Sequence, residues 1–178
     1  RFNANRAIIT SGTTEAINLV AHAWGRANLS DGDAVILTEM EHHSDIVPWQ
    51  MLAQEMNIEL RYVPVQKDLT LDMDLFEAAI DGAKLVCVVH ISNVLGVCNP
   101  VEKIVEIAKQ NGAKVLLDAA QSAPHQDIDF VALGADFMAF SAHKMCGPTG
   151  IGALLVSDEA FDEMQPFMGG GDMIETVS

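Results

Sequence analysis

Short runs of Val, Ile and Leu alternate along the chain with segments whose apolar residues recur every three or four positions. The runs predict strands at Ala7–Thr10, Ala34–Thr38, Glu59–Val63, Leu85–Ile91, Lys114–Asp118, Asp136–Ser141 and Ile151–Val156. Between the first two, Ile17, Val20, Ala21 and Trp24 share one face of an amphipathic helix over Thr13–Ala27. Ser44 is placed to cap a second helix reaching Asn57, with Pro48 tolerated in its first turn. Asp72–Ile80 and Val101–Gln110 are further helices, the latter stopped by Asn111-Gly112, and Asp158–Met164 adds one more. Strands that are continuously apolar, not alternating, must be covered on both faces. This pattern predicts an α/β architecture, three layers α/β/α with a mainly parallel sheet.

Composition narrows the picture. The chain has 178 residues, enough for a domain with a core of its own, and 49% of them are hydrophobic, which excludes intrinsic disorder. Ten Lys and Arg stand against 25 Asp and Glu, a net charge of −15, which argues against nucleic acid and anionic membranes and favours a partner with a basic surface. Three Cys without a close pair give neither a disulfide framework nor a zinc knuckle, which suits a reducing cytoplasm. No apolar run approaches the ~20 residues of a membrane span, and no signal peptide is expected. The chain opens on Arg1, close to its first strand, and stops at Ser178 without a closing helix pattern. It is therefore expected to be a piece of a longer protein.

In such sheets ligands sit beyond the C-terminal ends of the strands, so the polar residues just after each strand carry the candidate chemistry. After the first strand, Ser11-Gly12-Thr13-Thr14-Glu15 opens a helix. A Gly turn with hydroxyls at a helix N-terminus cradles phosphate, because free N–H groups and the helix dipole point at the anion. Plain capping, with Thr as N-cap and nothing bound, explains the same residues. After the second strand comes Glu41-His42-His43-Ser44. Adjacent histidines do not converge on one ion unless the backbone turns, and no second cluster has ligand spacing, so no metal site is expected. An imidazole here is suited to stack on a flat aromatic ligand or to move protons; a solvated loop pair is the alternative. After the fourth strand, Asn93 offers a donor and an acceptor to a ligand edge, whereas His90, inside an apolar run, reads as a satisfied core histidine.

The last two loops are more pointed. Asp118 ends an apolar strand and is followed by Ala119-Ala120-Gln121. A carboxylate there is costly unless it meets a positive partner, such as a ring nitrogen that stays protonated, with Gln121 bonding a neighbouring hydroxyl. Capping a turn is its other use. Ser141-Ala142-His143-Lys144 precedes Gly147-Pro148-Thr149-Gly150. A Lys directly after a buried strand, walled by apolar residues, is where an amine pKa falls far enough to form an imine; a surface Lys in a Gly/Pro turn is the alternative. Ser141 and His143 add donors for phosphate. Cradle, imidazole, carboxylate and lysine, in this chain order, describe a pyridoxal-phosphate site.

With those residues the sequence resembles the cysteine desulfurases of the class-V aminotransferase family, in particular their SUF-type branch. The resemblance is carried by Thr38-Glu39-Met40-Glu41-His42-His43 with Ile46-Val47-Pro48-Trp49-Gln50, by Ser92-Asn93-Val94-Leu95-Gly96, by Asp118-Ala119-Ala120-Gln121, and by Ser141-Ala142-His143-Lys144 with Gly147-Pro148-Thr149-Gly150-Ile151-Gly152. It implies the large domain of PLP-dependent transferase fold type I over residues 1–178, truncated at both ends, with the C-terminal small domain absent. It also implies conversion of L-cysteine to L-alanine by a cytoplasmic homodimer, with sulfur passed as persulfide to an acceptor protein for iron–sulfur cluster assembly.

By motif match, Lys144 holds the cofactor, Asp118 pairs with the pyridine nitrogen, Gln121 bonds the ring hydroxyl, and His42 stacks on the ring and moves protons. Thr13, Thr14, Ser141 and His143 bind phosphate, and Asn93 lies beside the ring and the substrate carboxylate. Gly169 belongs to Gly169-Gly170-Gly171, which resembles the family segment reaching the partner subunit's phosphate. Ala142 stands where many relatives have Gly, and Met145-Cys146 where Leu-Tyr is common; both suit a tight turn. The family's nucleophilic cysteine and carboxylate-binding arginine belong to a later segment, so Cys87, Cys98 and Cys146 are not expected to be the nucleophile. The chain alone is expected to bind cofactor without completing desulfuration. A selenocysteine lyase or a β-eliminating lyase of the same family fits these residues too, and a non-catalytic interaction module would leave Lys144 without a role.

Overall fold

The computed structural model describes residues 6–170. Strands β1 (Ala7–Thr10), β2 (Ala34–Thr38), β3 (Glu59–Val63), β4 (Ala83–Val89), β5 (Lys114–Asp118), β6 (Phe137–Ser141) and β7 (Gly152–Val156) form one sheet in the order β1-β7-β6-β5-β4-β2-β3. Strands β2 to β6 run parallel, and β7 is antiparallel to both of its neighbours, β6 and β1. Two reversals restore direction, so β1 ends at the same edge as β2, β4, β5 and β6. That edge receives every loop carrying candidate chemistry.

Alternate strand residues feed two cores. On one face Ile36, Val86, Val88, Val115 and Leu117 pack with Phe76 of helix α4 (Met73–Ala79) and with Ile104 and Val105 of α5 (Val101–Gln110). On the other, Val35, Leu37, Leu85, Leu116 and Phe137 meet Ile17, Val20 and Trp24 of the first helical run and Trp49 and Leu52 of α3 (Val47–Met56). This is the three-layer arrangement the apolar runs predict. The first run comprises α1 (Thr13–Leu19), a π-helical stretch at Val20–Gly25, and α2 (Arg26–Asn28). Its hydrophobic face is the predicted one; the widened stretch leaves no signature in the apolar spacing.

Several boundaries differ from expectation. Strand β4 ends at Val89, two residues early, because Ser92 and Val97 close a turn through a backbone bond of 3.0 Å. Strand β6 begins at Phe137; Asp136 instead accepts from Val115 N at 2.9 Å and faces Lys114 Nζ at 3.4 Å. Ser44 is not the cap of α3, which starts at Val47 after a 3₁₀ turn at His43–Asp45. Helix α6 (Phe130–Leu133) and a 3₁₀ turn at Ala142–Lys144 fall where no element is predicted, and α7 (Asp158–Asp162) is shorter than its apolar pattern. Helix α6 has readable ends: Asp129 caps it through Val131 N and Ala132 N, and Gly134 closes it at φ 75°.

One glycine brings the site together. Gly152 pairs with Thr10 on one side and Ser141 on the other, and a Cβ there would lie 2.5 Å from Gly12 Cα. Only glycine lets the loop after β1 settle onto the end of β6.

Candidate functional site

A cavity of about 240 Å³ opens at the C-terminal edge of the sheet, between the start of α1 and the loops after β2, β4, β5 and β6. It gathers Thr13, Thr14, Ser141 and His143 at one end. His42, Asn93, Asp118, Gln121 and Lys144 line the remainder.

The Thr13 end is a rigid junction. Ser141 Oγ accepts from Thr13 N at 2.8 Å and pairs with Thr13 Oγ1 at 2.7 Å, both residues being buried. Gly12, not a threonine, is the N-cap, without a side-chain cap bond; the Thr13 amide is taken by Ser141, so Thr14 is the threonine that presents a first-turn amide as well as a hydroxyl. Ser11 N donates to Glu15 Oε2 at 2.5 Å, and Ser11 holds the Glu15 carboxyl below its usual range. Glu15 thereby turns its charge back onto its own turn. His143 and Thr14 are exposed at the rim.

His42 is exposed and oriented by Ser44. Its Nδ1 accepts from Ser44 N at 3.1 Å and lies 2.6 Å from Ser44 Oγ. A backbone N–H can only donate, so Nδ1 is the acceptor and the neutral ring carries its proton on Nε2. His43 is exposed beside it, the two rings tilted by 73° with centroids 5.9 Å apart. Ser44 is thus an orienting residue for His42, which sequence reasoning missed by reading it as a helix cap.

Asp118 ends β5 with 3% of its surface exposed and accepts from Ala120 N at 2.8 Å. Burial raises its pKa, while the Ala120 amide and then the charges of Lys144 and His42 pull it back. Among the described residues no ion pair forms at Asp118. A nearly dry carboxylate facing a cavity without a bonded cation fits a cationic ring N–H, and the donor-rich Thr13 end fits a phosphate. The residues present therefore suit pyridoxal phosphate.

Lys144 is half-buried as the last residue of its 3₁₀ turn. The cavity beside it is lined by polar loop residues together with the apolar Val89 and Ala120. Asn93 is exposed at the rim and Gln121 half-buried. Gly169 is exposed and lies outside the cavity lining, and Gly171 falls beyond the described residues. His90 is buried but not satisfied: its Nδ1 has no hydrogen-bond partner, since the turn after β4 carries it off the strand. Cys87 is buried within β4, Cys98 and Cys146 are exposed, and none of the three lines the cavity. Among the described residues no cluster suited to a metal ion forms.

Comparison with known proteins finds relatives across nearly the whole chain. The chain is 52% identical to a probable cysteine desulfurase of Halalkalibacterium halodurans over 96% of its length, covering 42% of that protein. It is 49% identical to a cysteine desulfurase of Klebsiella pneumoniae, covering 99% of this chain and 44% of the relative. The crystal structure of the cysteine desulfurase CsdA from Escherichia coli superposes with a TM-score of 0.94 at 37% identity, over 99% of this chain and 44% of that one. The cystine C-S lyase C-DES superposes at 0.87 with 27% identity, over 94% of this chain and 45% of that one. The chain spans less than half the length of these relatives. The aminotransferase class-V family pattern matches residues 2–178, so the chain belongs to the class-V aminotransferase family.

Proposed function

We propose that the chain is the pyridoxal-phosphate-binding large domain of a cysteine desulfurase, of the SUF type, that takes L-cysteine to L-alanine and passes sulfur on as persulfide. The observation that carries this reading is the convergence, in one cavity, of Lys144, Asp118 and His42 with the Thr13–Ser141 junction. When bound, pyridoxal phosphate supplies an aldehyde carbon that amines can hold and a protonated ring that draws electron density from a substrate Cα.

The chain's own residues have separable tasks. Lys144 Nζ would hold the aldehyde carbon. Asp118, dry and fixed by Ala120 N, would keep the ring nitrogen protonated. Gln121 would bond the ring hydroxyl. Thr13, Thr14, Ser141 and His143 would hold the phosphate. His42 would lie against the ring and donate or take a proton at Nε2, its Nδ1 being engaged by Ser44. Asn93, at the rim, would meet the substrate carboxylate. The thiol that receives sulfur is assigned to another part of the full protein, because none of the three cysteines here reaches the cavity. We place the enzyme in the cytoplasm as a homodimer feeding iron–sulfur cluster assembly through a basic acceptor protein.

Borohydride reduction of the full-length protein with pyridoxal phosphate, followed by peptide mapping, tests the site: the adduct is expected on Lys144. L-cysteine should then yield L-alanine and protein-bound persulfide. The likeness to a cystine C-S lyase supports a second reading, β-elimination, for which pyruvate would replace alanine. No adduct on the folded protein, with Lys144→Ala changing nothing, would leave only a non-catalytic module.

A further inference from the structure

Behind the cavity, the structure buries two carboxyls that the assignment above does not use. Glu41 is 8% exposed and Asp45 0%. Glu41 Oε1 accepts from Thr38 Oγ1 at 2.6 Å and from Val89 N at 3.0 Å. Asp45 Oδ1 accepts from Trp49 Nε1 at 3.1 Å. The other oxygens, Glu41 Oε2 and Asp45 Oδ2, are both buried and meet no donor. The two carboxyl groups lie close enough to interact with each other, with the Cys87 thiol and with Asp118. No salt bridge reaches either acid among the described residues.

We propose that Glu41 and Asp45 share one proton, and that this acid pair is a positioning device that limits the buried charge beside Asp118 while holding the turn that presents His42. A single proton satisfies both orphaned oxygens. Glu41 accepts two donors and Asp45 one, so Glu41 is the carboxylate of the pair and Asp45 the acid. Desolvation raises both groups, helped at Glu41 by repulsion from Asp118 and at Asp45 by repulsion from Glu41 and Asp118. The groups facing the pair are Asp118 from β5 and Cys87 from β4; Lys144 from the turn after β6 and His42 from the turn after β2 face Asp118. Two ionised acids here would make three buried carboxylates and push a proton onto Asp118. With one proton retained, Asp118 keeps the charge that the proposed function requires, and the inference rests on that reading only for this consequence.

The pair has its own signature in stability. A carboxyl whose folded pKa lies above its unfolded value contributes stability below the unfolded pKa that is lost as pH rises through the folded one. Wild-type full-length protein should therefore lose stability as pH rises above the unfolded carboxyl range, with a slope of about one proton more than Asp45→Asn, which keeps the shape but cannot ionise. Glu41→Gln should flatten the slope similarly, whereas Asp45→Leu, which orphans Trp49 Nε1 and Glu41 Oε2, should destabilise at every pH. Equal slopes in wild type and Asp45→Asn overturn the pair. Should Asp45→Asn not fold, infrared spectra of the wild type decide: a protonated carboxyl band at neutral pH, lost at alkaline pH together with a shift of the Cys87 S–H band, supports the pair, and its absence overturns it. With pyridoxal phosphate added, the alkaline midpoint of the visible band should fall by about one pH unit in Asp45→Asn. An unchanged midpoint overturns the coupling to Asp118. No visible band in either protein overturns the cofactor reading instead, and the stability slope still decides the pair.

Discussion

Removing the hydroxyl of Ser141 tests the junction on which the phosphate assignment depends. Ser141 is 4% exposed and Thr13 7%, so water cannot replace the lost oxygen. Ser141→Ala leaves Thr13 N, now bonded at 2.8 Å, without an acceptor, and frees Thr13 Oγ1, now paired at 2.7 Å. An orphaned buried donor costs about 1–3 kcal/mol, and the hydroxyl can rotate while the amide cannot, so the loss of stability is about 2 kcal/mol. The same oxygen would meet the phosphate, and a hydrogen bond to a charged group contributes about 1.5–3 kcal/mol, or roughly 10- to 150-fold in Kd. The assay is urea unfolding of full-length wild type, Ser141→Ala and Ser141→Thr without cofactor, and titration of each with pyridoxal phosphate and with pyridoxal. Ser141→Ala should lose affinity for the phosphorylated form and little for the other, and Ser141→Thr should retain most of both properties. Equal losses for the two ligands would show that phosphate is held elsewhere. Unchanged unfolding would refute the burial argument itself.

Asp118→Asn should stabilise the cofactor-free protein at neutral pH while abolishing tight cofactor binding. Burial raises the Asp118 pKa, so the wild type loses stability as pH climbs from its unfolded pKa through its folded one, and the amide does not; thermal unfolding at several pH values reads the difference. Ser44→Ala removes the contact between Ser44 Oγ and His42 Nδ1 but leaves Ser44 N in place, so turnover of the full-length enzyme should fall about fivefold, the equivalent of ~1 kcal/mol, with cofactor affinity retained. Lys114→Met strands the buried carboxylate of Asp136, 3.4 Å from Lys114 Nζ, and should cost about 3 kcal/mol in chemical denaturation, most of it recovered by adding Asp136→Asn. Gly152→Ala would drive a methyl group to within 2.5 Å of Gly12 Cα, and should weaken cofactor binding by parting the loop after β1 from Ser141.

Much of this protein is legible in its linear pattern because local burial demands are local. Continuous apolar runs such as Ala34–Thr38, buried at every position, require cover on both faces, and only a helix-sandwiched sheet supplies it. Residues directly after such strands are delivered to one edge by direction alone, which is why Thr13, His42, Asn93, Asp118, Gln121, Ser141, His143 and Lys144 could be named before any distance was known. Helix ends at Asp72 and Asn111-Gly112 follow from capping chemistry that needs no partner.

Tertiary structure decided what depends on contacts across the chain. The reversal of β7, which returns β1 to the common edge, is a pairing choice invisible in periodicity. Ser44 became a partner of His42 and not a helix cap because a 3₁₀ turn intervenes before Val47. His90 left its strand and lost its expected partner through the turn that ends β4. Glu41 and Asp45 look in sequence like ordinary polar turn residues. Only the closure of β4 and α3 over them removes water from two acids at once, and desolvation, a property of the whole surrounding volume, cannot be read from a residue and its neighbours in the chain.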